Sequence, residues 1–334
     1  MSQFTLPNRQ LTTEGKMRRL GIEFEFAGIE LDIICELIVD LYGGEHKAER
    51  RFAHAVENTR WGTFVVEMDT TILKDENYRK YLDMIGFDPA SVRRVEDFVG
   101  RIASTLVPHE IACPPIPFDE AHQIEALRER LRTQQALGTR AALRYAFGLH
   151  FNPEAPATDA NTLLNYLRAF FLLLDHLQVA GKIDLARRIA PFINDFPEAY
   201  IFKVLAPQYQ PDSAQLIDDY LEYNPTRNRP LDMLPLFAWI DAARVLRTMS
   251  HQQELIKPRP TFHYRLPNCL IDEEHWTIAH EWSGWVAVEA LAEQPDAIAE
   301  LSQAYLARHR QPVIGPDEQW ANYIEQWLVS KNLA

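Results

Sequence analysis

Cysteine is scarce in this chain: Cys35, Cys113 and Cys269 are its only three, far apart, odd in number and without a CxxC pair. A disulfide framework is therefore excluded, and free thiols in a reducing compartment are expected. Basic residues are also in deficit, 34 Lys and Arg against 47 Asp and Glu, for a formal charge of −13. So acidic a surface repels phosphate backbones and anionic headgroups, which argues against a nucleic-acid partner and against a membrane partner. A small nucleotide held by a local basic cluster and a metal stays compatible with it. Long apolar runs are missing too. The most apolar stretch, 167 to 177, contains Arg168 and Asp175 and is too short and too charged to span a bilayer. The beginning, MSQFTLPNRQLTTEGKMRR, lacks the apolar centre of a secretory leader, so a cytoplasmic location is expected. No Gly/Ser linker, internal repeat or low-complexity tract divides the 334 residues, and a single domain over 1–334 is expected, mostly helical from about 270.

What is present is an ordinary globular composition, 47% hydrophobic and 24% charged. Alternation predicts a strand over Met17 to Ala27. Spacing of three to four predicts a helix over Ile29 to Leu41, stopped by Gly43-Gly44. Two strand-like runs follow, Arg50 to Val56 and Trp61 to Ile72, with Glu57-Asn58-Thr59 as the turn between them. Ile111-Ala112, Tyr145 to Asn152 and Pro260 to Leu266 are further strands. Helices are predicted over Asp119 to Leu137, from Asp159 as cap to about Gln178, and over Leu231 to Met249, Trp282 to Glu293 and Gln319 to Val329. The class is α+β rather than alternating βαβ.

Four of these strands share a pattern. Residues i and i+2 of a strand point to one side. GIEFEF therefore puts Glu23 and Glu25 on one face and Ile22, Phe24 and Phe26 on the other. FVVEMD does the same with Glu67 and Asp69, GLHFNP with His150 and Asn152, and FHYRLP with His263 and Arg265. Exposed strand faces usually carry Thr, Lys, Ser and Gln; here the pairs are of types that bind metals and phosphates. Carboxylates converging on one surface repel unless a cation lies between them, and hard oxygens with one imidazole suit Mg²⁺ or Mn²⁺ better than zinc. The candidate ligands are Glu23, Glu25, Glu67, Asp69 and His150. Arg227 and Arg229 (NPTRNRP) with Lys257, Arg259 and Arg265 (KPRPTFHYR) form a basic cluster in an acidic chain, suited to phosphate or carboxylate.

Two other chemistries are weaker. Cys113 follows His109-Glu110 and could serve as a nucleophile in an amidase or transferase, but Ala112-Cys113-Pro114 reads as a buried strand end. His275 and His280 stand five apart, so one helical face does not present both to zinc. Trp276, Trp282 and Trp285 read as core.

GIEFEF, EMDTTI, HEIACPPIP and GLHFNP, in this order and over residues 17 to 153, resemble the amidoligase branch of the glutamine synthetase and glutamate–cysteine ligase superfamily. NPTRNRPLDMLPLF (224 to 237) and the HYR strand extend the resemblance to about residue 270. The resemblance implies a curved antiparallel sheet with helices on its outer face and a funnel-shaped site, as in the glutamine synthetase catalytic domain. It implies ATP and Mg²⁺, an acyl phosphate, and an amine that displaces phosphate to leave an amide or isopeptide bond. The substrates would be an amino acid and an amine, or a peptide or protein side chain, and a homo-oligomer is open. Glu23, Glu25, Glu67 or Asp69, Glu110 and His150 match the family's metal-binding positions, and Arg265 its phosphoryl-neutralising arginine, with Arg259 beside it and Glu110 or Glu67 as base. The chain departs from the family pattern at His263, where E-x-R is usual, and at Asn152, where a second histidine is usual. These departures keep a catalytically degenerate binding module as an alternative.

Overall fold

The computed structural model describes residues 4–50, 52–68, 109–139, 147–183, 193–250, 252–308 and 316–331. The first strand, β1 (Arg19–Phe26), shows how the sequence directs the architecture. Leu20, Ile22, Phe24 and Phe26 are all 0% exposed, while Gly21, Glu23 and Glu25 between them are only partly covered. One side of β1 is thus core and the other is the polar face that the alternation predicts.

Helix α1 (Leu31–Tyr42) lays Leu31, Ile34, Cys35 and Ile38 on that core and ends at Gly43, whose φ of 75° favours glycine. Next come β2 (Glu45–Arg50), β3 (Ala53–Thr59) and β4 (Gly62–Met68). The chain does not turn at Glu57-Asn58-Thr59 as its composition predicts. Asn58, at φ 57°, sits in an irregularity of the β3–β4 register, and the reversal falls at Arg60-Trp61, where the Thr59 hydroxyl donates to the Gly62 carbonyl at 2.6 Å. After β5 (His109–Ala112) and β6 (Ile116–Pro117), the predicted Asp119 helix begins as a 3₁₀ segment, Phe118–Ile124, and becomes α2 (Glu125–Thr133).

Strand β7 (Leu149–Pro153) precedes α3 (Ala160–Ala180), which Asp159 caps by accepting from the Thr162 amide. Helices α4 (Glu198–Leu205) and α5 (Ser213–Tyr223) follow. The stretch 231–249 is not one helix. It opens as β8 (Leu231–Asp232), becomes α6 (Leu234–Ile240) and restarts at Asp241, which caps α7 (Ala242–Thr248). Of 260–266 only His263–Tyr264 is a regular strand, β9, while Thr261 adds an isolated antiparallel bridge to Glu154. Helices α8 (Ile278–Ala292), α9 (Pro295–Arg308) and α10 (Glu318–Ser330) complete the described chain.

The strands form one antiparallel sheet of nine, in the order β2-β3-β4-β5-β1-β7-β9-β8, with β6 also on β1; its two ends are not joined. The fold is mixed α and β, with helices packed on the apolar side of a large open sheet. Tyr264 stacks on Phe151 and meets Trp285 at 5.5 Å, and the Trp320 indole donates to the Leu172 carbonyl, which ties α10 to α3. Trp276, Trp282 and Trp285 are buried, as expected of core residues. All three cysteines are buried free thiols. Among the described residues no helix is long and apolar enough to cross a membrane.

Candidate functional site

Register turns the four polar strand faces into rows. Glu67 on β4 lies opposite Glu110 on β5, and Glu110 lies opposite Glu25 on β1. In the next row Ala112 faces Glu23, which faces His150 on β7. In the third, Gly21 faces Asn152, and Asp232 on β8 faces His263 on β9. A methyl group at Gly21 would come within 3.2 Å of the Asn152 Cβ, so glycine leaves Asn152 the room it occupies. Asp69 lies outside the described residues.

Glu23 is the hub. Its Oε2 is 3.1 Å from His150 Nδ1 and 3.5 Å from His263 Nε2, and its Oε1 accepts from the Asn152 amide at 3.0 Å. His263 stands edge-on to His150, with 5.3 Å between ring centres, and its Nδ1 is 3.6 Å from Asp232 Oδ2. Asp232 is fully buried, and its Oδ1 accepts from the Leu234 amide. Glu25 accepts from the Gly148 amide at 2.7 Å and lies 3.7 Å from His150 Nε2. One carboxylate oxygen of Glu23 and one ring nitrogen from each histidine are close enough together to hold a single metal ion.

Burial alone would raise the Glu23 carboxyl. The nearby His263 imidazole and the His150 hydrogen bond outweigh it and hold the group well below the usual carboxylate range. Burial lowers His150, opposed by Glu25 and Glu23 and helped by Arg265.

The arginines separate into two kinds. Arg259 enters the site: it donates to Asn152 Oδ1 at 2.7 Å, lies 3.6 Å from Glu23 Oε1 and is steadied by the Thr261 hydroxyl. Arg265 donates to the Arg227 carbonyl and to Asn228 Oδ1, which draws the 224–230 loop onto the end of β9. Burial lowers Arg227, Asp232 pulls the other way, and the neighbouring Arg265 and Arg259 charges lower it further; Glu23 also acts on it, so the three guanidiniums share one region with the acids. Arg229 faces elsewhere. It is buried over the Phe196 ring and donates to the carbonyls of Asn194, Asp195 and Tyr223. Lys257 is exposed on the segment leading to Arg259.

Asp232 went unrecognised in the sequence because the apolar spacing of 231–249 hid a two-residue strand inside a predicted helix. His263 was legible as a polar-face residue but not as a neighbour of Glu23, since strand order is not written in any one segment. Cys113 is buried at the end of β5, and burial together with the Glu23 charge pushes its thiol well above its ordinary value, which opposes a nucleophilic role.

No curated protein and no solved structure matches the chain. A family model does, over residues 16–287, a span that begins just before β1 and takes in every residue of the rows above. The chain belongs to the family described as "putative amidoligase enzyme".

Proposed function

We propose that this chain is an ATP- and Mg²⁺-dependent carboxylate–amine ligase with a sheet of the glutamine synthetase type. One observation carries the reading: three carboxylates, Glu67, Glu110 and Glu25, stand directly opposite one another across three strands, beside a basic cluster in an acidic chain. Like charges paired across strands are destabilising, so the row calls for a cation. Its donors are hard oxygens, which fit Mg²⁺. Glu25, Glu110 and Glu67 would hold it, with Glu23 and His150 adjoining. Bound there, it would neutralise phosphate charge as the phosphoryl group leaves.

Arg259, Arg265 and Arg227 bind the phosphates, with Lys257 adding charge from the exposed side. The acid substrate's carboxylate takes the γ-phosphoryl group, giving an acyl phosphate and ADP. A neutral amine then attacks the acyl carbon, phosphate leaves, and Glu110 or Glu67 accepts the amine's proton. A small amino acid or a peptide side chain would supply the acid.

Calorimetric titration with a non-hydrolysable ATP analogue, with and without Mg²⁺, tests this. The ligase reading expects Mg²⁺-dependent binding that Glu25→Gln abolishes while the fold persists. A second reading has its own support: both Glu23 oxygens already have hydrogen-bond partners, Oε2 in His150 and Oε1 in Asn152, so this carboxylate itself is satisfied without a cation. No binding with or without Mg²⁺ would favour that reading, a ligase fold kept as a binding module.

A further inference from the structure

The opposite side of the sheet carries a second cluster, unrelated to the Glu23 site. His54 on β3 pairs with Val66 and lies on the core side, whereas Glu67, one residue along β4, belongs to the acidic row. Beside His54 stand His46 of β2 and Cys35 of α1, one donor atom from each close enough together to share an ion. His46 Nε2 is 3.1 Å from His54 Nδ1. Asp32, one helical turn before Cys35, directs Oδ1 to the same place, 3.3 Å from His54 Nδ1 and 3.7 Å from His46 Nε2.

Tetrahedral zinc, with ligands at about 2.0–2.3 Å, holds donors about 3.3–3.7 Å apart. The three distances above fall close to that spacing. The donor types also fit: a thiolate with two imidazoles selects zinc over Mg²⁺, unlike the all-oxygen row on the other face. We propose that Cys35, His46 and His54, with Asp32 as fourth ligand, form a structural Zn²⁺ site.

The surroundings give the ion a purpose. Among the described residues, strand β2, EHKAER, ends the sheet and bonds only to β3, only His46 of its six residues is even partly covered, and almost no apolar surface holds it in place. A metal shared by β2, β3 and α1 fastens this outer strand to the helix beneath it.

The test uses the full chain stripped of metal and loaded with Co²⁺. One Co²⁺ per chain should bind at this site with the intense visible bands of tetrahedral cobalt and a near-ultraviolet thiolate-to-metal band, and Zn²⁺ should displace it. Cys35→Ser should lose the thiolate band. His46→Ala, at a partly exposed position, should weaken binding at least tenfold while the chain stays folded. Glu23→Gln should leave the thiolate band unchanged, because that cluster contains no sulfur. Absence of the thiolate band, its persistence in Cys35→Ser, or undiminished affinity in His46→Ala would each overturn the proposal. None of these results bears on nucleotide binding, so the two sites are judged separately.

Discussion

Arg18 and Glu289 form a bidentate ion pair, with two N–H···O bonds of 2.7 Å between side chains that are 0% and 1% exposed. The pair joins the residue before β1 to helix α8, some 270 positions along the chain. Tyr166 and Trp285 also donate to Glu289, while the carbonyls of Arg9 and Glu154 accept from Arg18, so both charges are compensated. Removing one partner strands the other. Glu289→Ala should cost about 3–5 kcal/mol, read as a lower urea midpoint with unchanged slope. Replacing both residues with apolar ones of similar volume should cost markedly less, and an equal loss would show that the hydrogen bonds matter more than the charges.

The two kinds of arginine should part under mutation. Arg259→Ala removes a charged donor next to Glu23 and Asn152 and should weaken nucleotide binding by about 1.5–3 kcal/mol, roughly ten- to a hundredfold, with little change in melting temperature. Arg229→Ala leaves three backbone carbonyls without their donor and should destabilise the chain by about 1–3 kcal/mol at nearly unchanged affinity. Calorimetry and thermal melts on both variants decide it; the opposite pattern would exchange their roles.

His109 gives stability a pH dependence. Its side chain faces the core against Phe26, and burial lowers its pKa to about 4, partly offset by the nearby Phe26 backbone. Because the folded pKa is below the unfolded value of about 6.5, the unfolded chain binds the extra proton between those limits. Stability should therefore be complete above about pH 6.5 and fall by up to about 3 kcal/mol as pH drops to about 4. His109→Leu should flatten urea-derived stabilities across that window. An unchanged slope would assign acid sensitivity to other groups.

Glu23 adds a separate acid limb. With its carboxyl held well below the usual range, its contribution is complete above that range and is lost as pH falls toward the depressed value. Glu23→Gln should remove this limb while leaving the His109 window in place. Unfolding curves at successive pH values separate the two, and a variant that keeps both limbs would contradict the assignment.

Cys113→Ala should leave nucleotide binding and any ADP release intact, because a buried thiol whose proton is so hard to remove supplies no nucleophile. Loss of turnover with preserved binding would revive the thiol chemistry.

Much of the acidic face was legible because it depends on one local rule, period-two alternation, with large apolar residues opposite each polar pair. Glu23, Glu25 and Glu67 follow it without exception. What alternation cannot supply is which strand lies beside which. Glu110 joins Glu25 and Glu67 only because β5 runs between β1 and β4, and His263 reaches Glu23 only because β9 pairs with β7. The C-terminal half was harder for a different reason. Helices α4, α5 and α9 were not predicted, and β8 was taken into a helix, since two residues give no periodicity to detect. Arg229 shows a further limit: its neighbours in sequence are those of a phosphate ligand, yet its partners are carbonyls up to 35 residues away.

The strands that build the site are very unequal in length, and this bears on how it would respond to a visitor. Glu23, Glu25 and Glu67 stand on β1 and β4, with eight and seven residues in their strands, and Glu110 on the four-residue β5 between them, whereas the loop and segment carrying Arg227, Arg259 and Arg265 are tied in by β8 and β9, with two residues each. Fewer cooperative bonds must break to open that side, so its amides should exchange with solvent sooner than those of β1. Part of any phosphate affinity is then spent on quieting the arginine side, and a bound nucleotide would be recorded as slowed exchange at 224–232 and 259–265 while the acidic strands remain as they were.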